Sequence, residues 1–197
     1  MATVTIPLFP VRTVLFPNGK LPLRIFEARY MDMVSYCLRK NTGFGICLIA
    51  VGDEVGDTAS VYTVGTLAQI TGWAQSNEGV LMIEATGIQR FEICAERVEE
   101  NNLIWADVEF LTPEPFFIVT EQYQPLVQLL QQVIAQVGGL YQHIPTYYDD
   151  LSWITQRFAE LLPMKLSQRQ TLLELDDPIQ RLTQISQLLN ELKIAYK

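Results

Sequence analysis

The 197 residues, 49 % of them hydrophobic and including 11 Gly and 10 Pro, exclude the disordered and fibrous classes and suit one domain or two small lobes sharing a core. The longest unbroken apolar run, Ile46 to Val51, falls far short of the ~20 residues of a membrane span, and the opening MATVTIPLFPV, basic first at Arg12, does not read as a secretion signal. The net charge of −8 is uneven: residues 1–45 hold six Lys/Arg against two acids, 46–117 two against twelve and 118–197 six against eight, so the middle stretch would repel a phosphate backbone.

Thr3 to Phe9 reads as a first strand, after which Pro10, Pro17, Asn18-Gly19 and Pro22 punctuate an irregular connection. In Glu27 to Lys40 the apolar positions Tyr30, Met33, Val34, Cys37 and Leu38 recur with helical spacing, and Gly43 and Gly45 are expected to end that helix. Phe44–Val51, Val61–Gln75, Gly79–Ala95 and Leu103–Leu111 are rich in β-branched and aromatic residues and read as long strands. Asn77-Glu78-Gly79 is expected as a hairpin loop and 52–60 as an acidic one. Short sequential connections favour antiparallel pairing, and Gly65, Gly72 and Gly87 inside strand patterns predict bulges that curl the sheet into a partly closed barrel.

Beyond Pro113-Glu114-Pro115 the period changes to 3.6. Leu126 to Val137 is expected as one amphipathic helix with Pro125 in its first turn or kinking it, and Leu151 to Leu162 as a second behind an Asp149 or Asp150 cap. Ser167-x-x-Gln170 is expected to open a third as a capping box, and Asp177-Pro178-x-Gln180 a fourth. The fold class is therefore α+β, a curled antiparallel β-lobe over 1–115 with one inserted helix, followed by a helical lobe over 116–197.

Catalytic signatures are missing. The lone Gly19-Lys20 fails the phosphate-loop pattern, and neither G-x-G-x-x-G nor G-x-S-x-G occurs. His143, the sole histidine, reads as a surface or packing residue. Cys37, Cys47 and Cys94 read as small buried hydrophobes rather than metal ligands or disulfides, which points to a reducing cytoplasm. Asp149-Asp150 and Asp176-Asp177 precede helices, where capping outranks catalysis. A Ser-Lys dyad stays open by inventory, although Ser35, Ser152 and Ser167 have sufficient structural roles on helices or caps. No catalytic residue, metal or cofactor is expected.

Four separated motifs carry a resemblance. Ile6-Pro7-Leu8-Phe9-Pro10-Val11-Arg12-Thr13-Val14-Leu15-Phe16-Pro17, followed by Leu21-Pro22-Leu23-Arg24-Ile25-Phe26-Glu27-Ala28-Arg29-Tyr30, resembles the opening of the Lon protease N-terminal domain family. Val64-Gly65-Thr66-Leu67-Ala68-Gln69-Ile70 and Gly87-Ile88-Gln89-Arg90-Phe91 are similar to its G-T-x-A-x-I and G-x-x-R-F strands, and Leu166 to Pro178 with Arg181-Leu182 to its K-Q-x-L-L-E-x-D-D-P-x-x-R-L segment. The resemblance implies a PUA-like β-lobe ahead of a helical lobe, binding of protein substrates and no activity of its own. With neither ATPase nor peptidase segment in the 197 residues, it implies a free-standing domain to which protease activity does not transfer.

Unfolded or client polypeptides are thus the expected partners, with Phe9, Leu15, Phe16, Leu23 and Phe26 as the candidate surface and core packing as the competing role of each. Pro10, Pro17, Pro22, Glu27, Arg29, Tyr30, Gly65, Gly87, Arg90, Phe91, Asp177 and Pro178 are expected to act structurally. An adaptor that associates with a full-length Lon-type protease or with itself is the alternative, with Pro115 to Val119 as its contact. RNA binding, which PUA-like folds suggest and the basic residues Arg12, Lys20, Arg24 and Arg29 would serve, is disfavoured by the acidic middle stretch. A small-molecule site in a cleft completes the readings.

Overall fold

The computed structural model describes residues 3–54, 56, 58–76, 79–139, 141 and 144–194. His143, Asp57 and the Asn77-Glu78 pair of the expected hairpin loop lie outside them. The chain divides into two compact units, Met1–Thr112 and Pro113–Lys197.

The first unit holds seven strands, β1 (Val4–Val11), β2 (Lys20–Ile25), β3 (Phe44–Val51), β4 (Ser60–Val61), β5 (Val64–Gln75), β6 (Leu81–Val98) and β7 (Ile104–Phe110), with α1 (Ala28–Lys40) between β2 and β3. The main path runs β1-β7-β6-β5-β3-β4, and β1 also pairs with β3, which closes a five-strand ring. Pairings are antiparallel except β1 with β3, where Leu8 to Val11 run parallel to Gly45 to Leu48. The long connection through β2 and α1 supplies the crossover that a parallel pair needs.

Strand β2 lies inside the stretch expected as an irregular connection. The turn ahead of it explains why. Gly19 N–H donates to the Phe16 carbonyl at 3.0 Å, Pro17 fixes the first central position and Asn18 takes φ 62° at the second, a type II arrangement. Chain reversal there leaves Leu21, Leu23 and Ile25 to alternate with Lys20, Pro22 and Arg24 along a short ladder to β6.

Apolar sequence is continuous in β1 because both faces are covered: Phe9 and Val11 join one core cluster with Leu23, Ile25, Tyr30, Met33 and Phe44, while Ile6 and Leu8 join a second with Cys47, Phe91 and Val108. Each such side chain withdrawn from water contributes ~1.5–3 kcal/mol before entropy is charged against it.

The glycines divide by cause. A Cβ on Gly87 would strike the Phe16 carbonyl and one on Gly65 would sit 2.6 Å from Cys47 Sγ, so both permit close approach. Gly87 and Gly72 border bulges as expected and Gly65 does not: the register shifts fall at Leu67/Ala68, opposite Gln89 and Gly87, at Ile70/Gly72 and at Ile93/Ala95. The last of these leaves Cys94 exposed rather than buried, because an extra residue reverses the alternation of faces. Helix α1 ends at Asn41, whose left-handed φ of 52° terminates it two residues before Gly43.

The second unit holds a 3-10 turn (Glu121–Tyr123) and helices α2 (Gln124–Val137), α3 (Leu151–Leu161), α4 (Leu166–Glu174) and α5 (Pro178–Glu191). Helix α3 is central, buried from Leu151 through Ala159, and packs against α2, α4 and α5. Asp150 caps it by accepting the Ser152 N–H at 3.0 Å. Helix α4 starts two residues earlier than expected: Lys165 is its N-cap, and the Lys165 N–H donates to Gln168 Oε1 at 3.0 Å, so Ser167 does not cap it and Gln170 is buried. Asp177 caps α5 through the Ile179 N–H at 2.8 Å with Pro178 at the first position. The buried face of α5 is Pro178, Arg181, Ile185 and Leu189, so an arginine stands among the apolar residues of that face.

Candidate functional site

An apolar-walled concavity opens on the β-unit between the end of β1 and β2. It encloses about 370 Å³. Phe9, Val11, Leu21, Leu23 and Tyr30 line it, Pro22 and Phe26 stand at its rim, and Arg12, Arg24, Glu27 and Glu54 surround it.

Each wall has a local cause. Phe9 comes from the inward alternation of β1 and is braced by the Tyr30 ring, 4.2 Å between centroids. Leu21 and Leu23 alternate inward from β2, whereas Phe26 follows the last strand residue, escapes the alternation and is 63 % exposed. Pro22 lacks an N–H. Because the Gly19 carbonyl accepts from Gly87 N–H on β6 at 2.9 Å, alternation directs the backbone groups of Pro22 and Arg24 away from β6, and among the described residues the ladder of β2 runs to β6 alone. The groove thus borders a strand edge, the place where extended chains add.

Of the five residues expected to bind polypeptide, Phe9, Leu23 and Phe26 meet at this groove, while Leu15 and Phe16 are enclosed in the unit. Leu15 instead offers its carbonyl to Thr66 Oγ1 at 2.6 Å. Glu27 takes the N-cap position of α1 and pairs with Arg29 at 2.9 Å. Arg29 is buried, donates to the Asn102 carbonyl at 3.1 Å and lies 4.7 Å over the Tyr30 ring, so the E-x-R-Y stretch ties α1 to the β6–β7 turn. Burial, the largest influence, lifts the Tyr30 phenol to about 12. Arg90 and Phe91 are buried on β6, Pro10 sits in the parallel ladder opposite Cys47, and Asp177 with Pro178 opens α5 in the other unit.

Side-chain pairings across forty residues or more had no local signal. Arg12 N–H donates to Glu54 Oε1, and the Arg12 guanidinium bonds the Gly52 carbonyl at 2.8 Å and the Asp53 carboxylate. Lys20 pairs with Glu84 at 2.7 Å. In the second unit Arg181 holds Glu114 through two bonds of 2.6 and 2.8 Å and the carbonyls of Leu172 and Leu175 at 3.0 and 2.6 Å.

Two further grooves are more polar. One of about 750 Å³ lies between α1 and the β6–β7 turn, with Asp32, Arg39, Arg97, Glu99 and Glu100 around Trp105. The other, about 330 Å³, runs between α4 and α5. Burial pushes the Cys37 thiol up to about 11 and the Cys47 thiol well above the ordinary thiol range, which leaves both poor nucleophiles. Among the described residues no group of three or more His, Cys, Asp or Glu is placed to hold a metal, and no helix is long and apolar enough to cross a membrane.

Ring closure, the α1 crossover and the helical unit define an α+β protein with a PUA-like pseudobarrel. The chain belongs to the ATP-dependent protease La (LON) substrate-binding domain family, whose model matches residues 5–191. It is similar to a Lon N-terminal domain protein from Xanthomonas campestris, 32 % identical with a TM-score of 0.76 over 92 % of this chain and 96 % of that one. The N-terminal domain of a Lon protease from the Mycobacterium avium complex shares the fold, with a TM-score of 0.63 over 95 % and 98 % of the two chains at 16 % identity. Among curated relatives, the Lon protease of Trichlorobacter lovleyi is 29 % identical over 196 residues and Lon protease 2 of Herpetosiphon aurantiacus 26 % over 203, covering 93 % and 96 % of this chain. The chain spans about a quarter of these two relatives, 23 % and 24 % of their lengths, and the match is to the non-catalytic substrate-binding part of Lon.

Proposed function

We propose that the chain is a non-catalytic substrate-recognition module that holds exposed apolar segments of unfolded or client polypeptides in the groove of its β-unit, within a reducing cytoplasm. One observation carries the reading: an aromatic side chain, Phe26, stands 63 % exposed over an apolar groove that borders a strand edge. An extended chain laid there gains main-chain bonds from β2 and burial of alternate side chains against Phe9, Leu23 and Phe26. Membership of a substrate-binding domain family supports the same assignment.

The test is binding of a permanently unfolded, fluorescently labelled polypeptide, followed by anisotropy. Micromolar affinity is expected, together with suppression of that polypeptide's aggregation. Phe26→Ser should weaken binding about fivefold to tenfold, the value of one buried aromatic contact, without moving the urea midpoint. Absence of binding at micromolar protein would remove the reading.

A second reading, association with a Lon-type protease or with another copy of the chain, draws on the segment at Ile118. Leu151 N–H donates to the Phe117 carbonyl and Val119 N–H to the Asp149 carbonyl, which turns the backbone of Ile118 outward. Phe116 and Ile118 are exposed beside it.

A further inference from the structure

Resting on that polypeptide-binding reading, we propose that the β-unit groove selects client segments in which an acidic side chain accompanies the apolar residues, and that Glu54 is the chain's own stand-in for that side chain. Arg12 is the first residue beyond β1, and its backbone N–H, fixed by the strand, donates to the Glu54 carboxylate at the groove. The Arg12 guanidinium is bonded to the Gly52 carbonyl and to Asp53 of the same loop, and Arg24 also lines the groove. An otherwise apolar groove therefore presents a donor fixed by the strand, and a carboxylate already sits on it.

Donor and acceptor differ in how exchangeable they are. The N–H cannot leave the strand, whereas Glu54 is an exposed side chain on a loop, and exposed ionic contacts hold only weakly against solvent. A client carboxylate that brings apolar neighbours with it has burial against Phe9, Leu23 and Phe26 to add, which Glu54 does not. A client lysine finds less: Glu27 is engaged by Arg29, Asp53 by Arg12, and Glu54 by the Arg12 backbone. The backbone donor at this place in the groove thus favours an acid.

The experiment measures three N-acetylated, C-amidated fluorescent peptides that share one apolar sequence and carry Glu, Gln or Lys at its centre, titrated with the full chain and with Glu54→Ala. Blocked termini restrict the carboxylate to the side chain. On E54A the Glu peptide should bind at least about fivefold tighter than the Gln peptide, the scale of one charge-assisted hydrogen bond. The ratio should shrink on the unmodified chain, where Glu54 competes. Equal binding of Glu and Gln peptides to E54A, or tightest binding by Lys, overturns the selectivity and leaves polypeptide binding intact. Failure of all three peptides to bind either protein overturns both.

Discussion

Tyr30 shows how much a single side chain is asked to do in this groove. Its ring braces Phe9 and lies under the Arg29 guanidinium, and burial holds its phenol up at about 12 against an ordinary 10, with Arg29 opposing the shift and Glu27 and Glu54 adding to it. The phenol is charged when it loses its proton. Between pH 10 and 12 the unfolded chain releases a proton that the folded chain keeps, so unfolding gains. The stabilising contribution is complete below pH 10 and is lost as the pH climbs through the folded value. Urea midpoints at about pH 9 and pH 11 should therefore fall more for the unmodified protein than for Tyr30→Phe, which has no phenol to titrate. Parallel pH dependence in the two proteins would assign the alkaline loss to another group. Gly87 makes a different point at the same scale: it belongs to a strand motif because the Phe16 carbonyl occupies the space of a side chain.

At the scale of elements, Arg181 joins the start of the helical unit to its last helix. It reaches Glu114 and two carbonyls at the end of α4 with no exposed surface of its own, and the Glu114 side chain is 5 % exposed. Arg181→Met should cost ~3–5 kcal/mol, because it strands a buried carboxylate. Adding Glu114→Gln should restore a substantial part of that loss, as a neutral amide is cheaper to leave unpaired. Chemical denaturation of the single and double variants measures both, and an R181M protein as stable as the parent would show that the ion pair contributes nothing net. Sequence pattern read the elements well where period decides: Phe44–Val51 was legible to the residue, and so was the Asp177 cap, while the cap of α3 was left between Asp149 and Asp150. It failed where partners are distant. The parallel pairing of β1 with β3, the burial of Arg181 and the carboxylate on the Arg12 N–H each join residues more than thirty apart. Apolar and proline content put Phe9, Leu15, Phe16, Leu23 and Phe26 together as one candidate surface, because which apolar side chains line a groove and which are enclosed is a tertiary property. Strand β2 escaped because Pro17 and Pro22 resemble loop punctuation, although one makes a turn and the other faces an outer edge.

Across the whole molecule, charge decides between polypeptide and nucleic acid. Twelve acids against two arginines leave residues 46–117 strongly negative, and the basic residues that precede them do not pool into a patch. Arg12 is bonded to Asp53, Lys20 to Glu84, and Arg29 is buried against Glu27. Pairs of this kind leave few cations to displace counterions from a phosphate backbone, and counterion release supplies most of non-specific affinity. Labelled single-stranded RNA should therefore show no saturable anisotropy change up to about 100 µM protein at about 50 mM salt, a condition under which basic nucleic-acid binders saturate. Binding to the unfolded polypeptide, driven by burial, should persist when salt is raised to about 500 mM, where exposed charges are screened beyond roughly 4–5 Å. RNA retention that disappears steeply with salt, or polypeptide binding that does, would mean that charge rather than apolar surface governs what this chain holds.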